Sequence, residues 1–251
     1  MISKLTAVLS ALTLAYTANA QTQNLGNSEI GIHVGPGISL LYNQHPAQNP
    51  RTPDKPTANA FAVGFSYQYN FPKIVSIVSE LNYQRTGDIL YHTYTYNNTG
   101  EQVIYTANTA YDRINYITMP MYAKLSFGKT IRFFANVGFY AGFRLNSIRS
   151  VSNTDYLYQS TEQTAASNNY TLNTTAATNK IDGGLVTGMG VAFPIGKMVA
   201  LTFEARNNMG FAKVNNNADV FPINKYNNST SFLFGLNLKL SKPGKMPNTL
   251  K

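Results

Sequence analysis

His33, His45 and His92 are the only histidines in this chain, and an imidazole is the side chain best placed to move a proton near neutral pH. For catalysis each would need a partner. His92 shares a polar segment with Asp88, a base and orienting carboxylate that a peptidase on a barrel rim could use. Ser39 follows His33 along an alternating segment, and an acyl hydrolase would need that hydroxyl within hydrogen-bond reach of the ring. Neither pair sits in a nucleophile motif such as G-x-S-x-G. Cysteine is absent and the histidines are dispersed, so no metal-ligand spacing arises. The expectation is therefore no catalytic, cofactor-binding or metal-binding residue, with the histidines as polar loop or strand residues.

A second set of charges recurs with a regular phase. Glu80, Lys124, Arg132, Arg144, Asp182, Glu204, Arg206 and Lys239 fall on the polar side of segments that are apolar at every second position. In the clearest segment, 131–145, Ile131, Phe133, Ala135, Val137, Phe139, Ala141, Phe143 and Leu145 share one face, opposite Arg132, Asn136, Gly138, Gly142 and Arg144. A period of two is that of a β-strand with unlike faces, here one for lipid and one for a polar interior.

Such runs recur eight times between about 29 and 240, and the links between them alternate short and long. The pattern predicts an all-β fold, an eight-stranded antiparallel up-and-down transmembrane β-barrel. Short links near Pro72, Gly128 and Gly196 belong on the periplasmic side; long links at 43–59, 86–112, 146–180 and 208–228 belong outside the cell. The long links are rich in Asn, Thr and Tyr, as in 91–98 and 161–178, and are expected to be partly disordered. Gly35-Pro36-Gly37 predicts a bulge or kink in the first strand.

An eight-stranded barrel has an interior only wide enough for side chains to fill, and buried charge requires partners. The eight phased charges are thus expected to form a salt-bridged plug, the alternative being a narrow, cation-repelling passage gated by the arginines. Arg85 and Arg113 have lipid-facing parity at the outer ends of adjacent strands, where guanidinium groups could bind lipopolysaccharide phosphates. The competing expectation turns them into the loop toward Asp88 or Asp112.

Composition locates the chain. Lys4, an apolar stretch over 5–16 and Ala18-Asn19-Ala20 read as a secretory signal peptide over 1–20, with the mature chain starting at Gln21. A barrel domain is expected over 21–241 and a short basic periplasmic tail over 242–251. The net charge of +9 is concentrated in the short turns (Lys73, Lys129, Lys197) and the tail (Lys242, Lys245, Lys251), whereas the long links mix both signs. That distribution excludes a nucleic-acid platform, which needs a continuous basic surface with stacking residues. No window is apolar for the roughly 18 residues of a membrane helix.

The runs SELNYQRTG at 79–87, INYITMPM at 114–121 and DGGLVTGMGV at 182–191 together resemble the PorT-like outer-membrane β-barrel family of Bacteroidetes, over about 30–240. Such families are similar to eight-stranded barrels of the OmpX and OmpA type. The resemblance implies insertion through the barrel-assembly machinery and little about molecular activity; the name-giving member assists a secretion system, so an accessory role there is one alternative function. Many barrels end on an aromatic residue, whereas here Leu240 is followed by a basic tail, so assembly is expected to read the 232–240 pattern. The predicted function is structural or surface-interactive, through the long loops. The expected partners are outer-membrane lipids and lipopolysaccharide, the barrel-assembly machinery, and a surface or secretion-system protein. The alternatives are a small channel and a barrel enzyme acting on lipid or peptide.

Overall fold

Alternation becomes strand throughout the computed structural model, which describes residues 28–42, 57–71, 74–98, 102–159, 162–216 and 224–240. The strands are β1 (Ser28–Tyr42), β2 (Ala58–Asn70), β3 (Val75–Asn98), β4 (Gln102–Phe127), β5 (Arg132–Gln159), β6 (Glu162–Asn173), β7 (Ile181–Ile195), β8 (Val199–Lys213) and β9 (Tyr226–Lys239), with a 3-10 turn at Thr175–Ala177. All pairings are antiparallel, and eight strands close a barrel in the order β1-β2-β3-β4-β5-β7-β8-β9. Closure is made by β9 returning to β1, with Ile32 opposite Leu236, and by the Leu240 amide donating to the Ser28 carbonyl at 2.9 Å. β6 stands outside the ring and pairs with the outer part of β5.

The outward set is apolar and exposed: Phe65 and Phe139 are 68% accessible and Met189 70%. An encircling band of this kind would cost about 25 cal/mol per Å² in water, so its solvent is lipid. Gly128 (φ +106°) and Gly196 (φ +68°) occupy the left-handed region in the tight turns after β4 and β7, where a side chain would be strained. Phe127 and Phe133 stack beside the first of these turns, ring centroids 6.0 Å apart, a position that suits the membrane interface. This turn end is the periplasmic end of such barrels.

Two local expectations are corrected. No bulge forms at Pro36: its pairing with Phe61 keeps the register of its neighbours, and Val34↔Phe234 and Gly37↔Ser231 share one offset on the β9 side. A side chain at Gly35 would strike the Phe232 carbonyl, so the flanking glycine keeps the two backbones close where proline lacks its N–H. The links at 86–112 and 146–180 are largely strand, since β3 pairs with β4 out to Asn98↔Val103 and β5 with β6 out to Gln159↔Glu162. Thr- and Tyr-rich segments suit strands, and a hairpin growing from a formed barrel satisfies its backbone without a core of its own. The phase of β5 also shifts. Asn115 pairs with Asn146 but Tyr116 with Arg144, so Leu145 is an extra residue and β5 changes parity there. Arg144 is buried below the bulge and Ser147 above it.

Candidate functional site

The inward faces meet in layers. At mid-height Arg206 of β8 lies between Glu80 of β3 and Glu204 of its own strand. Its guanidinium grips Glu80 with two nitrogens, one at 3.0 Å from Oε1, and Glu204 through Nε at 2.6 Å and Nη2 at 3.0 Å. Remaining lone pairs are met by neutral donors: Tyr122 Oη reaches Glu80 at 2.5 Å, Asn82 Nδ2 reaches Glu80 at 2.9 Å, and Asn136 Nδ2 reaches Glu204 at 2.9 Å. His33 Nε2 is 3.7 Å from Glu80. All these side chains are buried, and Val78, Tyr122 and Val186 pack as an apolar layer around them. Bidentate geometry with satisfied neighbours is the arrangement in which a desolvated ion pair holds.

Toward the outer end a second network appears. Arg149 donates to both oxygens of Asp112, at 2.6 and 2.8 Å, and Lys225 Nζ lies 3.1 Å from Asp88 and 4.0 Å from Asp112. Asp182 is bonded by Tyr140 and Asn227, each at 3.1 Å, and by the Gly183 amide at 2.8 Å. Arg144 donates to the Thr175 carbonyl in the 3-10 turn, and Leu41, Ile114, Tyr116 and Val214 form an apolar cluster at this level.

Of the eight phased charges, Glu80, Lys124, Arg144, Asp182, Glu204 and Arg206 are buried, but one salt-bridged cluster contains only Glu80, Glu204 and Arg206. Lys124 bonds Gln68 at 3.2 Å and sits 4.1 Å from the Phe134 ring center. Arg132 is exposed and Lys239 half-buried, both at the periplasmic mouth. Asp88, Asp112, Arg149 and Lys225, assigned to loops from sequence, are the second network. Strand parity carried through β3 and β4 could have found the aspartates; the bulge at Leu145 hides Arg149.

Arg85 and Arg113 point outward and are exposed. Arg85 Nε donates to Asn115 at 3.1 Å and Arg113 to Ser150 at 3.0 Å, while Asp88 and Asp112 hold Lys225 and Arg149. Among residues whose side chains are described, every carboxylate is buried: Glu29, Glu80, Asp88, Asp112, Asp182 and Glu204. Among the residues whose side chains are described, the outside at this level therefore presents cations alone, with Lys180 and Lys213 also exposed.

The Ser39–His33 pair does not assemble. Ser39 exchanges hydrogen bonds with the Gly87 backbone, at 2.7 and 3.0 Å, and lies about 20 Å along the strand from His33 at ~3.4 Å per residue. His45, the segment read as a signal peptide and the basic tail fall outside the described residues, as does the side chain of His92. No group of three potential metal ligands occurs among the described residues.

Solved structures with a similar trace are small barrels of low identity. Ail, the attachment invasion locus protein of Yersinia pestis, in complex with the heparin analogue sucrose octasulfate, matches at 10% identity and TM-score 0.37, over 84% of this chain and 98% of that one. Neisserial surface protein A matches at 13% and 0.38, over 85% and 97%. OprG of Pseudomonas aeruginosa matches at 8% and 0.41, over 86% and 97%. No curated protein matches the chain. The profile of the outer membrane protein beta-barrel domain matches residues 19–216, and the chain belongs to that family of outer-membrane barrels.

Proposed function

We propose that this barrel is a non-conducting, non-catalytic membrane anchor whose outer sheet binds a polypeptide at the cell surface. The observation that carries the reading is the outer edge of β6, with which no described strand pairs. Beyond the barrel, β3, β4, β5 and β6 continue as one sheet, and among the described strands β6 pairs with β5 alone, through an unbroken register. Its sequence, EQTAASNNYTLN, contains neither lysine nor proline, and β6 has no bulge, whereas β3 at the opposite edge has one between His92 and Thr95. Natural sheets guard such edges with those devices unless a strand is meant to add there. The stacked charged and apolar layers described above support a plugged lumen. An accessory role in secretion, as in PorT-like barrels, is one form this surface binding would take.

The test is a photo-crosslinking residue at Asn169 of β6 in living cells, compared with the same probe in a Thr171→Pro background. One recurrent protein, lost with proline while the barrel keeps its heat-modifiable mobility, supports the reading. An absence of any recurrent protein overturns it.

A second reading rests on the exposed cations of the exterior: Arg85 and Arg113 bind phosphates of outer-leaflet lipopolysaccharide, charge-assisted contacts that guanidinium groups make well.

A further inference from the structure

The turn end of the lumen holds a concavity lined by Lys124, Arg132, Lys239 and Glu29. Its bases differ from those deeper in the barrel. Arg206, Arg149 and Lys225 each meet a carboxylate within 4.0 Å, whereas no such ion pair involves Lys124, Arg132 or Lys239 among the described residues. Lys124 is buried, yet its ammonium has only the neutral Gln68 oxygen and the Phe134 ring. Glu29, the one acid present, faces Lys239 across the β1–β9 ladder but is bonded by Asn70 at 3.1 Å instead. Between Arg132 on β5 and Lys239 on β9 the wall is made of Ala192, Pro194 and Ala200, short side chains that leave the space open, and Ser126 and Asn237 add neutral polar groups.

The charges set the occupant. From mid-height to this mouth, Lys124, Arg132, Arg206 and Lys239 stand against Glu29, Glu80 and Glu204, an excess of one positive charge. The excess lies among low-dielectric walls, where water and salt screen it less than at an open surface. We propose that the mouth is a binding site for a singly charged phosphate oxyanion, gripped by Arg132 and Lys239 with Lys124 beneath. A guanidinium fork and two ammonium groups suit phosphate oxygens. Free phosphate and the phosphodiester of an inner-leaflet lipid headgroup share this chemistry. The proposal is independent of the reading of the outer sheet.

The experiment uses the whole mature protein in uncharged alkyl-glucoside micelles, which bring no phosphate. Inorganic phosphate and, separately, glycerophosphoglycerol are titrated while the Arg132 Nε–H and Lys239 amide resonances are followed, with sodium chloride at matched ionic strength as control. Saturable shifts, weakened about tenfold or more in Arg132→Gln and in Lys239→Gln, are expected, a loss of about 1.4 kcal/mol. Saturation by the diester identifies a headgroup as the occupant, and saturation by inorganic phosphate alone identifies the free ion. Shifts that rise linearly or are reproduced by chloride overturn the proposal, as does saturable binding unchanged in both variants. Neither substituted group forms an ion pair among the described residues, so the variants should fold, and their heat-modifiable mobility checks this.

Discussion

Replacing Arg206 with methionine removes the one cation that two buried carboxylates share. The side chain is 4% exposed and makes five hydrogen bonds, two to Glu80, two to Glu204 and one to Tyr122. After its removal Glu80 keeps Tyr122 and Asn82 and Glu204 keeps Asn136, so neither acid is stripped of donors, but no guanidinium separates them. Removing one partner of a buried ion pair typically costs about 3–5 kcal/mol. With two acids orphaned, the expected loss lies toward the upper end of that range. Converting the acids as well, in Glu80→Gln/Glu204→Gln/Arg206→Met, removes both negative charges and should bring stability to within ~1.5 kcal/mol of wild type, since uncharged replacements of buried ion groups are often neutral. Reversible urea unfolding in phosphatidylcholine vesicles, followed by heat-modifiable mobility, measures both. A loss below about 1 kcal/mol in Arg206→Met would refute the reasoning, because it would mean that lumen water screens the carboxylates as at a surface.

Three further outcomes are expected. In Gly190→Ala the new methyl group meets the Phe134 ring and the Phe203 carbonyl, an overpacking expected to cost about 1–3 kcal/mol in the same unfolding assay. Arg85→Ala/Arg113→Ala should lower the lipopolysaccharide that co-purifies with the barrel, measured by phosphate analysis of the purified protein, while leaving its stability within ~0.5 kcal/mol of wild type, as at other surface sites. Planar bilayers should show no unitary conductance for wild type or Arg206→Met, because the Leu41, Ile114, Tyr116 and Val214 layer remains above the altered site; regular channel steps in either would contradict a closed lumen.

What the sequence determined is the face each residue takes. Strand geometry sends alternate side chains to opposite sides, so the outward position of Phe65, Phe139 and Met189 and the inward position of Glu80, Lys124, Glu204 and Arg206 were legible without any pairing. The barrel itself was legible too, because eight half-apolar strands with alternating short and long links leave few other closures. Which inward charges meet was not, since a partner across a barrel depends on register and stagger, which alternation leaves open. Hence Arg206 gathers Glu80 and Glu204, while Arg144 turns to a backbone carbonyl and Lys124 to Gln68. Local phase also fails wherever one residue is added. The bulge at Leu145 turns Arg149 inward onto Asp112, and only the paired strand on each side shows that the extra residue is there. The ninth strand was hidden for a related reason: the polar, Thr- and Asn-rich β6 has little apolar alternation to read, and its conformation is imposed by the ladder it shares with β5. Side-chain chemistry writes faces into sequence, whereas hydrogen bonding between distant backbones decides neighbours, and only the folded chain holds those.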